Sequence, residues 1–141
     1  MANPANSTAY RLPDGRMAVN VTEAKTLAVA DQGYVQNVIY ASGVFAVPAT
    51  ATAGQWTVRN GGIPKTNAPA GTGDDGNSIA VSPVAADGIE GGVTGTAVDN
   101  KDLINTAATA RVGDEITILN NGRTEGPSAV ALKGVWAREA S

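Results

Sequence analysis

Hydrophobic and polar residues alternate with a period of two in several short stretches of the chain. Met17, Val19 and Val21 alternate with more polar residues, and Trp56 and Val58 alternate in the same way. This period is expected of a strand with one buried face. Further stretches rich in β-branched or aromatic residues predict strands at residues 34–41, 43–47, 78–82, 115–119, 128–133 and 135–138.

Glycine, proline, asparagine and aspartate cluster between the predicted strands, as at Asn60-Gly61-Gly62 and Asn120-Asn121-Gly122. Residues 61–77 form a long loop by the same criterion. Residues 99–109 fit either one capped helical turn or a strand, and their threonines favour the strand. No segment of ten residues has a helical period. The pattern therefore predicts an all-β protein, a compact antiparallel β-sandwich or barrel of about eight short strands.

The first sixteen residues differ from the rest. Pro4 and Pro13 oppose helix formation, Asp14-Gly15 marks a turn, and Tyr10 and Leu12 are the large apolar residues. We expect an extended N-terminal arm over residues 1–16 and a single β domain over residues 17–141.

The composition predicts a thin core. The chain has 141 residues, with 4% aromatic residues, and Leu, Ile, Val and Phe together supply about a fifth of it. Backbone ordering costs about 1–2 kcal/mol per residue, so a core of small side chains favours sharing buried surface with neighbouring subunits. Trp56 and Trp136 are expected to close either the core of one subunit or a seam between subunits.

Two residue types are absent from the chain, and their absence excludes several kinds of catalytic and metal site. Histidine and cysteine are absent and the net charge is −3. A Ser-His-Asp triad is therefore excluded, as are ordinary zinc, haem and iron–sulfur sites. The acidic balance opposes nucleic-acid binding, and no apolar run reaches the length of a membrane span or a signal peptide. We expect no cofactor and no enzymatic activity.

Three motifs resemble functional sites, but each is better explained as part of a loop or turn. Residues 71–76 match G-x-G-x-x-G, but no strand leads into them and no helix follows, so a loop is favoured over a phosphate site. Two Asp/Asn groups could offer oxygens to calcium, without EF-hand spacing. The carboxylate pairs lie in turns or beside glycine, which disfavours a glycosidase. The calcium candidates are Asp74, Asp75 and Asn77, and Asp99, Asn100 and Asp102, and the carboxylate pairs are Asp87 with Glu90 and Asp114 with Glu115.

Four aromatic residues could instead form a platform that stacks on sugars. They are Tyr34, Tyr40, Trp56 and Trp136. Core packing or a subunit interface is the favoured role, because a thin core needs its few large residues.

An ordered series of short motifs spans residues 17–139. It includes VPAT at 47–50, the aromatic strand ending at Asn60-Gly61, SIAVSP at 78–83, DNKDL at 99–103 and GVWARE at 134–139. In this series the chain resembles the head decoration, or cement, proteins of tailed bacteriophages.

The resemblance implies a β-rich protein on the outer surface of the virion capsid, bound as a homotrimer that bridges major capsid protein subunits. Tyr10, Arg11, Leu12 and Arg16 would then be the capsid contacts of the arm. The alternative is a phage appendage or carbohydrate-binding β module.

Overall fold

The computed structural model describes residues 9–39, 42–62, 78–92, 97–105 and 110–139. These residues form eleven strands and one short 3-10 helix at Val29–Asp31. The strands are β1 (Tyr10–Arg11), β2 (Met17–Val21), β3 (Lys25–Thr26), β4 (Val35–Val38), β5 (Ser42–Ala46), β6 (Gly54–Asn60), β7 (Ser78–Ser82), β8 (Leu103–Asn105), β9 (Glu115–Asn120), β10 (Ser128–Lys133) and β11 (Ala137–Arg138).

The strands form two sheets, which confirms the predicted all-β sandwich class. Sheet A has the strand order β1-β2-β4-β6-β9-β10, and sheet B has the order β11-β8-β7-β5-β3. The described part of the chain holds more strands than the eight or so predicted, because three of them are only two residues long. The extended alternative for residues 99–109 is confirmed at β8, whereas residues 106–109 lie outside the described residues.

The sequence predicts antiparallel pairing, but the pairing in the structure is mixed. In sheet A, β2 pairs with β4 and β4 with β6 in parallel, and in sheet B, β3 pairs with β5 and β5 with β7 in parallel. From β2 to β7 successive strands alternate between sheet A and sheet B. Only three residues separate β2 from β3 and β4 from β5. These short links carry the chain to the opposite sheet, so neighbours within a sheet run in the same direction.

The core lies between the two sheets and uses most of the large apolar residues. Trp56 and Val58 both face it from β6, as their alternation predicted, and Trp56 is only 1% exposed. Trp136 is also buried. Each indole N–H donates to a backbone oxygen, Trp56 to Ala28 at 2.8 Å and Trp136 to Lys133 at 3.0 Å. Further buried members of this cluster are Val21, Leu27, Val38, Phe45, Val47, Ile79, Val81, Ile89, Leu103, Ile116, Ile118 and Ala129.

A buried polar cluster connects the two sheets at one end of the core. Asn60 of β6 donates through Nδ2 to Asn105 Oδ1 of β8 at 2.8 Å, and Asn105 Nδ2 donates to Asp114 Oδ2 at 3.1 Å. The backbone N–H of Arg111 also donates to Asp114 Oδ2, at 2.9 Å. Because burial of polar groups is costly unless they are hydrogen-bonded, this network fixes the relative position of the strand ends.

The described part of the predicted arm, residues 9–16, is a β-hairpin with β2. Tyr10 pairs with Ala18 and Arg11 with Met17, so β1 is the edge strand of sheet A. The turn is closed by the backbone N–H of Leu12, which donates to Arg16 O at 2.7 Å. Residues 1–8 lie outside the described residues. Within the described part of the chain, no helix has the length and apolar character needed to cross a membrane.

Candidate functional site

The outer face of sheet A carries a row of polar side chains that crosses five strands. Strand register places Asn20, Asn37, Arg59, Glu115 and Lys133 side by side on β2, β4, β6, β9 and β10. They occupy positions that alternate with buried residues of the same strands. The outer face of this sheet is therefore charged and rich in hydrogen-bonding groups.

Hydrogen bonds join the first three residues of this row. Asn37 Nδ2 donates to Asn20 Oδ1 at 3.2 Å, and Arg59 Nη1 donates to Asn37 Oδ1 at 2.6 Å. Tyr10 caps the end of the row: its hydroxyl donates to Asn20 Oδ1 and accepts from Asn37 Nδ2 at 3.0 Å. Tyr10 is thus held against its own sheet.

Arg16 fastens the hairpin turn to the far side of the same face. Its two terminal nitrogens donate to both carboxylate oxygens of Glu115, at 2.8 and 2.6 Å, and its Nε donates to Asp14 at 2.8 Å. Glu115 lies on β9, three strands from β2 in sheet A. Ion pairing with Glu115, and next with Asp14, raises the pKa of Arg16, and hydrogen bonds from Arg16 lower the pKa of Asp14.

The turn encloses a shallow cavity of about 160 Å³ against the sheet. Leu12 lines it from the turn, and Arg59 and Lys133 line it from the sheet together with Glu115. Arg11 takes no part in the cavity lining, because its guanidinium donates to the Gly15 carbonyl at 2.8 Å. The four predicted arm contacts therefore belong to one hairpin. Three of them, Tyr10, Leu12 and Arg16, face their own sheet.

A second depression, of about 230 Å³, lies on the other side of Arg16. It is lined by residues from the hairpin, the turn before β4 and the first half of β6. They are Arg16, Met17, Gln32, Gly33, Tyr34, Val35, Gln55 and Thr57.

The outer face of sheet B has the opposite character. Strand register aligns Val44, Ala80, Ile104 and Ala137 in one row across β5, β7, β8 and β11. Val44 is 49% exposed, and the neighbouring strand positions on this face are small and uncharged. Among the described residues, these outward positions also include Thr26, Ala46, Ser78 and Ser82. Lys25 and Arg138 alternate with this face, and Lys25 binds Asp31 inside the fold at 2.8 Å.

The predicted carboxylate pairs do not converge on shared sites. Asp114 is buried in the polar cluster, whereas Glu115 faces outward to Arg16. Asp87 is buried, and Glu90 is exposed and paired with Arg123. Within the described residues, no group of three or more acidic side chains could hold a metal ion. The motif at 71–76 and the first calcium candidate lie outside the described residues.

The aromatic residues separate into different environments. Trp56 and Trp136 are both in the core of the single chain, so neither contributes to an exposed stacking platform. Tyr40 lies outside the described residues, and Tyr34 lines the second depression. Sequence reasoning missed the uncharged row on sheet B. The signal was available in SIAVS, because Ser78, Ala80 and Ser82, which alternate with the two buried residues, are all uncharged.

Comparison with known protein families finds no family that matches the chain, and a search of curated proteins finds no match.

Proposed function

We propose that the protein is a non-enzymatic structural component of a bacteriophage virion, bound to the outer surface of the capsid. It acts as a homotrimer that bridges neighbouring major capsid protein subunits. The observation that carries the proposal is the contrast between the two outer faces of the sandwich. The uncharged face of sheet B suits contact with a protein shell, and the polar face of sheet A suits contact with water.

The size of the sheet B face favours a lattice as its occupant over a single second copy. Five strands about 4.8 Å apart and up to five residues long span a face on the order of 350 Å². A stable interface needs roughly 800 Å² from each partner. One such face therefore binds weakly, and several faces of an oligomer acting on one shell gain affinity because the later contacts are intramolecular.

The mechanism is linkage between binding and assembly. A protein that binds the assembled shell and not its free subunits stabilises the shell by its binding free energy at every site. The four hairpin residues Tyr10, Arg11, Leu12 and Arg16 remain a predicted second contact. Since residues 9–16 are folded on sheet A, this contact would be made by a formed hairpin.

A matched pair of variants tests the docking face. Val44→Glu places a charge on the uncharged face, and Val130→Glu places the same charge on β10 of sheet A at similar exposure, 49% against 51%. We expect Val44→Glu to lower the affinity for capsids isolated without this protein by about tenfold or more, since a buried unpaired charge is costly. Val130→Glu should bind like the unchanged protein in co-sedimentation.

Equal binding of both variants would remove sheet B as the docking face. Failure of the unchanged protein to bind such capsids, together with a stable monomer in light scattering, would refute the capsid function itself. If the protein is instead an appendage or carbohydrate-binding module, it should attach to host cells and not to capsids.

A further inference from the structure

We propose that the depression between the hairpin turn and the start of β6 is a binding site for a single neutral sugar ring. It lies on sheet A, the face opposite to the proposed capsid contact. Tyr34 is half-buried at this site, and amide side chains from Gln32 and Gln55 stand beside it. The site is therefore separate from the docking face of sheet B, although it shares Arg16 with the predicted hairpin contact.

The Gln32 amide is held in place by its neighbours. Its Oε1 accepts a hydrogen bond from the backbone N–H of Gln55 at 3.2 Å. The side chain lies directly over Gly54, where an added Cβ would come within 2.5 Å of Gln32 Nε2. Only a residue without a side chain leaves room for the amide in this position. Because Oε1 is engaged, Nε2 is the group that offers donors to a ligand.

The charges at the site favour a neutral ligand. Arg16 is the charged residue of the lining, and its guanidinium is ion-paired with Asp14 and Glu115. Glu115 is also paired with Arg59, at 3.7 Å, so this cluster holds two cations and two carboxylates. Because these four charges balance, an anionic ligand would find no unpaired cation in the lining to attract it.

The remaining lining fits a polyhydroxylated ring. An aromatic side chain offers an apolar surface with a polar tip, and amides offer donors and acceptors side by side. A hexose presents the complementary surfaces, with hydroxyl groups around its edge and C–H groups on its face. A volume of about 230 Å³ is enough for one ring. A ligand of this size has few contacts, so we expect dissociation constants of about 1–10 mM.

The test is an NMR titration of the isotope-labelled full chain with galactose, glucose and N-acetylglucosamine, and with glucuronate as the charged comparison. At least one neutral sugar should cause saturable shifts at Gln32, Tyr34 and Gln55, with weaker binding of glucuronate. Tyr34→Ala and the exposed-site variant Gln55→Ala should each weaken binding by about tenfold. Gly54→Ala should do the same by displacing the Gln32 amide.

Tyr10→Ala is the matched control, since Tyr10 lies on the same face of sheet A outside the depression. It should leave sugar binding unchanged. Amide spectra of each sugar-free variant verify that it is folded. The proposal is overturned by the absence of saturable shifts at these residues with every neutral sugar, by preferential binding of glucuronate, or by equal losses in the Tyr10 and Tyr34 variants.

Discussion

Asp114 shows how one buried carboxylate restricts its neighbours. It accepts hydrogen bonds from Asn105 and from the backbone of Arg111, and the chain passes close to it again at Gly134. A Cβ at Gly134 would lie 2.2 Å from the Asp114 carboxyl carbon, and the φ of Gly134 is +93°. Both the space and the backbone conformation therefore require glycine at this position.

Replacing Gly134 should lower the free energy of unfolding more than replacing a glycine that has the same backbone conformation but no close neighbours. Gly15 has a φ of +96° and no atom within 4 Å of an added Cβ. We expect Gly15→Ala to lower the free energy of unfolding by about 1–2 kcal/mol through strain alone. Gly134→Ala should lower it by about 3 kcal/mol or more, because it also displaces the buried carboxylate. Urea denaturation measures both, and equal losses would contradict the role given to Asp114.

The inward positions of Trp56 and Val58 were predictable, since local alternation defines the buried face of a strand. Asn60 was not. It ends the same strand, and its position before two glycines indicated a turn residue, yet it is buried and bonded to Asn105, 45 residues away. A turn preference is local, whereas this contact depends on which strand ends meet in the folded chain.

At the scale of elements, the turn between β1 and β2 is held over the face of sheet A by one cation that is shared between two carboxylates. Arg16 binds Asp14 within the turn and Glu115 across the face. Exposed ion pairs contribute little individually. Their value here is geometric, because they hold the turn over β4 and β6 and so separate the two depressions.

The titration of Asp14 reports whether this contact forms in solution. Hydrogen bonds from Arg16 lower the pKa of Asp14 below its ordinary value of 3.8. A lowered folded-state pKa stabilises the hairpin fully above about pH 4, and that contribution is lost as the pH falls through the lowered value. We expect carboxyl NMR to show an Asp14 midpoint below 3.8 in the unchanged protein and a higher midpoint in Arg16→Gln, which keeps only the backbone N–H bond to Asp14.

Arg11→Gln is the control for this titration, because Arg11 donates to the Gly15 carbonyl and not to Asp14. Its Asp14 midpoint should stay low. A midpoint that is the same in Arg16→Gln and in the unchanged protein would show that the turn does not hold the contact.

Strand positions were more predictable than strand pairing. The strand at 115–119 and the strand at 78–82 were predicted close to β9 and β7 as the structure has them. The parallel pairs were not predicted, because turn residues indicate where a strand ends and not which sheet the chain enters next. The candidate site follows the same rule: Arg16 was identified, but its partner Glu115 and the depression beside it depend on the pairing.

At the scale of the whole molecule, the chain closes a core from a composition poor in large apolar residues. Phe45, Trp56 and Trp136 are all buried in one cluster that receives side chains from both sheets. Both tryptophans therefore lie in the core of a single chain, which was one of the two positions expected for them. A shared seam is not needed to bury them, although surface contacts of an oligomer remain part of the proposed function.

A single core predicts one cooperative transition that both tryptophans report. In the single-tryptophan variants Trp56→Phe and Trp136→Phe, the fluorescence of the remaining indole and the far-UV circular dichroism should change at the same urea concentration. On dilution of the native protein, the emission maximum of each should stay that of a buried indole. Different unfolding midpoints would show that the domain unfolds in separate parts. A red shift of the emission on dilution would place that tryptophan between subunits.

The alternation of successive strands between the two sheets has a mechanical consequence. From β2 to β7 successive strands alternate between the two sheets, and only three residues separate β2 from β3 and β4 from β5. A force that pulls β4 out of sheet A must therefore also displace β5, which lies between β7 and β3 in sheet B. These strands cannot be removed from their sheets one at a time. Under an applied force we therefore expect the two sheets to be disrupted together.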